Sequence, residues 1–111
     1  MNEETAIMRL IQFEASKRGN IRLWRNESGL FYAPNGARVK AGLCKGSSDL
    51  IGLRSVLITR EMVGTFVGQF MAVEVKTPEG RLTDEQKKYL DTINALGGYG
   101  RVFESVEQCD F

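Results

Sequence analysis

"AVEVKTPEGRLTDEQKKYL", residues 72–90, passes from an apolar, strand-like run through a proline and a glycine into a helix. Glu74 and Lys76 stand two positions apart in that run, where strand alternation puts them on one face with Ala72 and points Met71, Val73 and Val75 into a core on the other. Charged side chains are rarely buried in such a setting without a partner, so something must compensate the pair. Past the turn, Thr83 has the chemistry of an N-cap and acids follow it. Tyr89, Leu90, Ile93 and Leu96 form an apolar stripe that ends at Gly97. Thr83 and Gln86 also have the spacing of a capping box, so Gln86 has a structural role that can coexist with a role in a site.

Outward from this stretch, "TFVGQFMAVEVK" (65–76) and "DLIGLRSVLIT" (49–59) read as two strands forming an antiparallel pair, and "IRLW" (21–24) and "YGRVFES" (99–105) as further strands. Residues 3–18 have helical spacing, with Ile7, Leu10, Ile11 and Ala15 facing inward and Gly19 at the stop. "PNGA" predicts a hairpin turn between "LFY" and "RVK". Trp24 and Phe70 are read as core, and Gly46 as a tight turn that brings Asp49 into place. The order of elements predicts one α/β domain over residues 1–111, a mixed central sheet flanked by helices.

The chain of 111 residues has a net charge of +1 and contains no histidine. That absence excludes Ser-His and Cys-His nucleophile pairs and imidazole-bound zinc, leaving carboxylates, lysine, hydroxyls and a hard metal ion for any catalysis. Cys44 and Cys109 form no CxxC motif and are expected as free thiols in a reducing compartment. No signal or membrane-spanning pattern is visible, which predicts a soluble, cytoplasmic protein. Residues 1–60 carry ten Lys/Arg against five Asp/Glu, and residues 61–111 carry five against nine. The basic excess gathers in a Gly-, Asn- and Ser-rich excursion, where Arg25, Arg38, Lys40 and Lys45, with Ser47, are the candidate phosphate contacts.

If residues 49–59 pair with residues 65–76, Asp49 approaches the Glu74 end of the neighbouring strand. Two carboxylates meeting in a partly apolar site repel each other unless a cation sits between them. Mg²⁺ suits such a pair because it takes one or two carboxylates and leaves its other positions to water and phosphate oxygens. The Val75 carbonyl is a further candidate ligand, and Lys76 is placed to orient a water or balance charge on a phosphate.

"LWRNESG", "KAGLCKGSSDLIG", "VEVKTPEGRLTDEQ" and "GGYGRV" together resemble the virus-type replication-repair nuclease domain, VRR-NUC, of the PD-(D/E)XK superfamily, including its stand-alone phage-like members. The resemblance implies a restriction-endonuclease-like core with Asp49 and Glu74 as metal ligands, Lys76 as the catalytic lysine and Gln86 lining the site. On the first helix Glu4 fits the family's acid best, with Glu3 as a near alternative. Ser48 stands where the family motif has proline, a change in loop stiffness more than in chemistry. The implied activity is Mg²⁺-dependent cleavage of DNA, with Mn²⁺ as a substitute. The implied substrate is branched or distorted DNA, cut by a homodimer similar to Holliday junction resolvases. The alternative is a catalytically silent nucleic-acid-binding or assembly subunit of the same fold.

Overall fold

The first helix opens on Asn2, whose side-chain oxygen accepts a hydrogen bond from the Thr5 amide at 2.8 Å, and Glu3 and Glu4 follow at the positive end of the helix dipole. This computed structural model describes residues 2–27 and 29–110, which fall into two units, Met1–Arg54 and Ser55–Phe111. Ser28 of the "LWRNESG" stretch therefore lies outside the described residues. The class is α/β, with two helices and six short strands in two-stranded sheets among the described residues. No helix among them is long and apolar enough to cross a membrane.

In the first unit, α1 (Glu3–Ser16) packs on β1 (Ile21–Arg25), which pairs antiparallel with β4 (Leu50–Arg54) in the register Ile21↔Arg54 to Arg25↔Leu50. The helix stops at Lys17 rather than Gly19, the Lys17 amide donating back to the Ala15 and Glu14 carbonyls. Its covered stripe is Thr5, Met8, Gln12 and Ala15. Of the expected stripe only Ala15 is buried, while Ile7, Leu10 and Ile11 are exposed. A two-stranded sheet is too narrow to cover a wide apolar arc. β2 (Gly29–Tyr32) and β3 (Arg38–Ala41) form the expected hairpin, closed by the Ala33 amide on the Ala37 carbonyl and the Gly36 amide on the Ala33 carbonyl, both at 2.8 Å.

The second unit is built on β5 (Met71–Val75), α2 (Asp84–Ala95) and β6 (Tyr99–Phe103), and β5 and β6 run parallel. The expected antiparallel pairing of 49–59 with 65–76 is thus corrected: β4 takes β1 as its partner and β5 takes β6. A helix between two strands returns the chain to the starting end of the sheet, so the second strand comes in parallel to the first. Residues 55–59 also leave the strand conformation that was expected of them.

Small residues set how close α2 comes to this pair. A Cβ on Gly98 would lie 2.6 Å from Ile93 Cγ2, and one on Gly100, the register partner of Ala72, would lie 3.0 Å from the Leu90 carbonyl oxygen. Leu90 and Ile93 are buried there, Ile93 with no exposed surface. The face of β5 that α2 covers therefore carries Ala72, Glu74 and Lys76, which are half-buried. Met71, Val73 and Val75, expected in the core, are exposed.

Candidate active site

Glu74 sits at the fourth of the five positions of β5, and Lys76 follows the strand's last residue. The Lys76 amide extends the ladder by donating to the Phe103 carbonyl at 3.1 Å. In a parallel ladder a residue bonds to the two flanking an opposite position, so with Phe103 spanning Glu74 and Lys76, the N–H and C=O of Val75 face the edge of β5 away from β6.

What compensates the two charges is now visible. Lys76 Nζ lies 3.6 Å from Glu74 Oε1, and Gln86 Nε2 donates to the same oxygen at 2.9 Å. The side chains of Lys76 and Glu74 are 22% and 32% exposed, shielded from bulk water but reachable from it. Gln86 completes the capping box expected of it and also reaches Glu74. Its amide oxygen accepts from the Thr83 backbone N–H at 3.0 Å, its own backbone N–H donates to Thr83 Oγ1 at 3.1 Å, and its side-chain nitrogen remains for Glu74. One residue thus ties the start of α2, where the helix dipole is positive, to a carboxylate on the strand.

Asp49 and Glu4 belong to the first unit. Glu4 is exposed in the first turn of α1, as is Glu3. Asp49 is exposed at the mouth of β4, and its carbonyl accepts from the Asn26 amide at 2.8 Å. The Asn26 side chain does more. Its nitrogen donates to Ser47 Oγ at 2.7 Å and to the Ser48 carbonyl at 2.9 Å, and its oxygen accepts from the Leu43 amide at 2.9 Å. Sequence reading gave Asn26 no role, although its place in "LWRNESG" marked it. Its bonds tie Leu43, Ser47 and the Ser48 carbonyl together just ahead of Asp49. Gly46, at φ 85°, makes the turn expected before Asp49, with the Ser47 amide on the Cys44 carbonyl at 3.0 Å.

The candidate phosphate contacts divide. Arg38, Lys40 and Lys45 line a single cavity of about 750 Å³. Arg25 instead pairs with Glu27 at 2.8 Å, and Ser47 Oγ is engaged by Asn26 and, at 3.4 Å, by the Cys44 amide. Both cysteines are free thiols.

Within either unit, the described residues hold no cluster of three or more Cys, Asp or Glu side chains able to bind a metal ion. Mg²⁺ needs no such cluster, since one or two carboxylates suffice beside water and phosphate. The donors near Glu74 suit a hard cation. Both contacts to the carboxylate fall on Oε1, so Oε2 takes part in neither, and the next residue turns a backbone carbonyl to the strand edge.

A strand ending in acid-x-lysine beside a helix, in a small α/β chain, is consistent with a nuclease fold of the PD-(D/E)XK kind. The chain belongs to the VRR-NUC domain family, which matches residues 14–107. Membership implies a nuclease of the virus-type replication-repair family, with DNA as substrate and a divalent metal ion as cofactor. No curated protein and no solved structure matches the chain.

Proposed function

We propose that the chain is a Mg²⁺-dependent deoxyribonuclease that hydrolyses phosphodiester bonds in branched DNA, as a Holliday junction resolvase does, and works in the cytoplasm as a homodimer. The observation that supports this is the meeting of the Lys76 ammonium and the Gln86 amide on Glu74 Oε1, at 3.6 and 2.9 Å. A capping box is complete without Glu74, and an ordinary surface ion pair needs no glutamine.

In this reading Glu74 and the Val75 carbonyl hold the cation, and Mn²⁺ can replace Mg²⁺. When bound, the ion supplies Lewis-acid polarisation of the scissile phosphate. Gln86 fixes the orientation of the Glu74 carboxylate. Lys76 orients the attacking water and offsets the negative charge that grows on the phosphate oxygens. The water oxygen bonds to phosphorus as the bond to the 3′ oxygen breaks. The water loses a proton and the leaving oxygen gains one, giving a 5′-phosphate and a 3′-hydroxyl. A two-fold symmetric pair presents two identical sites to the strands of a symmetric junction.

Lys76→Ala tests the assignment. Cleavage of a four-way junction in Mg²⁺ is expected to slow by about 10²–10⁴-fold, with the circular dichroism of the fold unchanged. A Lys76→Ala protein that cuts as fast as the parent overturns the reading.

A further inference from the structure

The cavity lined by Arg38, Lys40 and Lys45 is the strongest feature outside the Glu74 cluster. Glycines at φ 83° and 85°, Gly42 and Gly46, bend the loop after β3 back over the hairpin, and Leu30, Leu43 and Cys44 complete the walls. Among the described residues, none of the three cations has an ion-pair or hydrogen-bond partner, and no acidic residue lines the cavity. Arg25, by contrast, is already neutralised by Glu27.

The register shows what accompanies the charges. Lys40 lies opposite Leu30 and Arg38 opposite Tyr32, so these four side chains share one face of the hairpin. Tyr32 is 68% exposed. An exposed aromatic ring beside a row of free cations is the pairing by which proteins hold single strands: the cations follow the backbone and the ring stacks on an unpaired base. A cavity of about 750 Å³ has the size of a small-ligand site, enough to admit a nucleotide or two of single strand.

We infer that this cavity and the Tyr32 face beside it bind an unpaired DNA strand, phosphates on Arg38, Lys40 and Lys45 and a base on Tyr32. The inference rests on the reading of the chain as a protein that acts on DNA, and it names the feature of the substrate that the hairpin recognises. Bases inside a duplex are stacked on their neighbours and cannot reach Tyr32.

Cys44, exposed in the cavity wall, reports occupancy directly. In the full chain carrying Cys109→Ser, alkylation of Cys44 by iodoacetamide is followed in EDTA, so that no metal and no cleavage enter the measurement. A short oligothymidylate is expected to slow the reaction about tenfold, and a duplex of equal length to leave it unchanged. Arg38→Gln with Lys40→Gln keeps side-chain length and removes two charges. It should abolish the protection and lower the slope of log K against log salt by about 1.4, or about 0.7 per phosphate contact. Tyr32→Ala should weaken single-strand binding about tenfold without altering that slope, and Tyr32→Phe should restore it. Equal protection by duplex, or protection by neither DNA, overturns the inference. Protection that persists in a protein that cuts no DNA upholds it and sinks the nuclease reading instead. Cleavage without protection sinks the inference alone.

Discussion

Glu74 stands on a strand whose covering helix is seated by the buried Leu90 and Ile93, whereas Asp49 ends a glycine-rich loop whose shape depends on the side-chain amide of Asn26. The first arrangement is held by packing, which is spread over many contacts and depends on volume. The second is held by a few directional bonds, each of which either forms or leaves a polar group without its partner. A carboxylate on a packed strand keeps its place when surface residues change. One at the end of a polar loop is only as well placed as the weakest of those bonds. The two candidate metal ligands thus differ in what would dislodge them.

The largest effect expected within this comparison comes from the packed side. Ile93→Ala should lower stability by about 2–5 kcal/mol in urea denaturation, because Ile93 has no exposed surface and its loss leaves a cavity under α2. A loss below about 1 kcal/mol would show that packing does not hold the Glu74 strand. Asn26→Ala should cost about 1–3 kcal/mol, since the Leu43 amide and the Ser48 carbonyl lose their partner together. It should also slow cleavage, and Asn26→Asp should recover the bond from Leu43 but leave the Ser48 carbonyl without its donor. Stability and rate both unchanged in Asn26→Ala would break the contrast from the other side.

Smaller still, Thr83→Ala removes the cap of α2 at a cost of about 1 kcal/mol and should leave cleavage unaltered, because the Gln86 bond to Glu74 does not involve the hydroxyl. Gln86→Leu should cost a similar amount of stability and in addition slow cleavage by about 10–100-fold, as loss of a group orienting a ligand does. Equal rates in the two variants would assign Gln86 to capping alone.

Much of the candidate site was legible before any fold was known. Glu74 and Lys76 share a face by alternation, and Thr83 and Gln86 are capping partners by spacing. Both rules act over a few residues and need no distant neighbour. The family resemblance implied only that Gln86 lines the site, and its bond to Glu74 is seen in the structure alone. The role of Asn26 was missed because its partners lie far along the chain, at Leu43, Ser47 and Ser48, and no periodicity predicts such bonds. The candidate phosphate contacts looked equivalent in sequence. Only the fold sets Arg25, spent on Glu27, apart from the three cations around the cavity.

The sequence by itself determined the helix over Asp84–Ala95, its cap and its end, the hairpin around "PNGA" and the pairing of an acid with a lysine at a strand's close. These are local matters of backbone preference and side-chain reach. The tertiary structure decided that β5 lies parallel to β6 and that the charged rather than the valine-bearing face of β5 is covered. Those outcomes turn on how closely a helix can approach a strand, which depends on Gly98, Gly100 and Ala72 meeting Ile93 and Leu90 in space. Alternating hydrophobicity along one segment cannot report on what the opposing segment has room to accept.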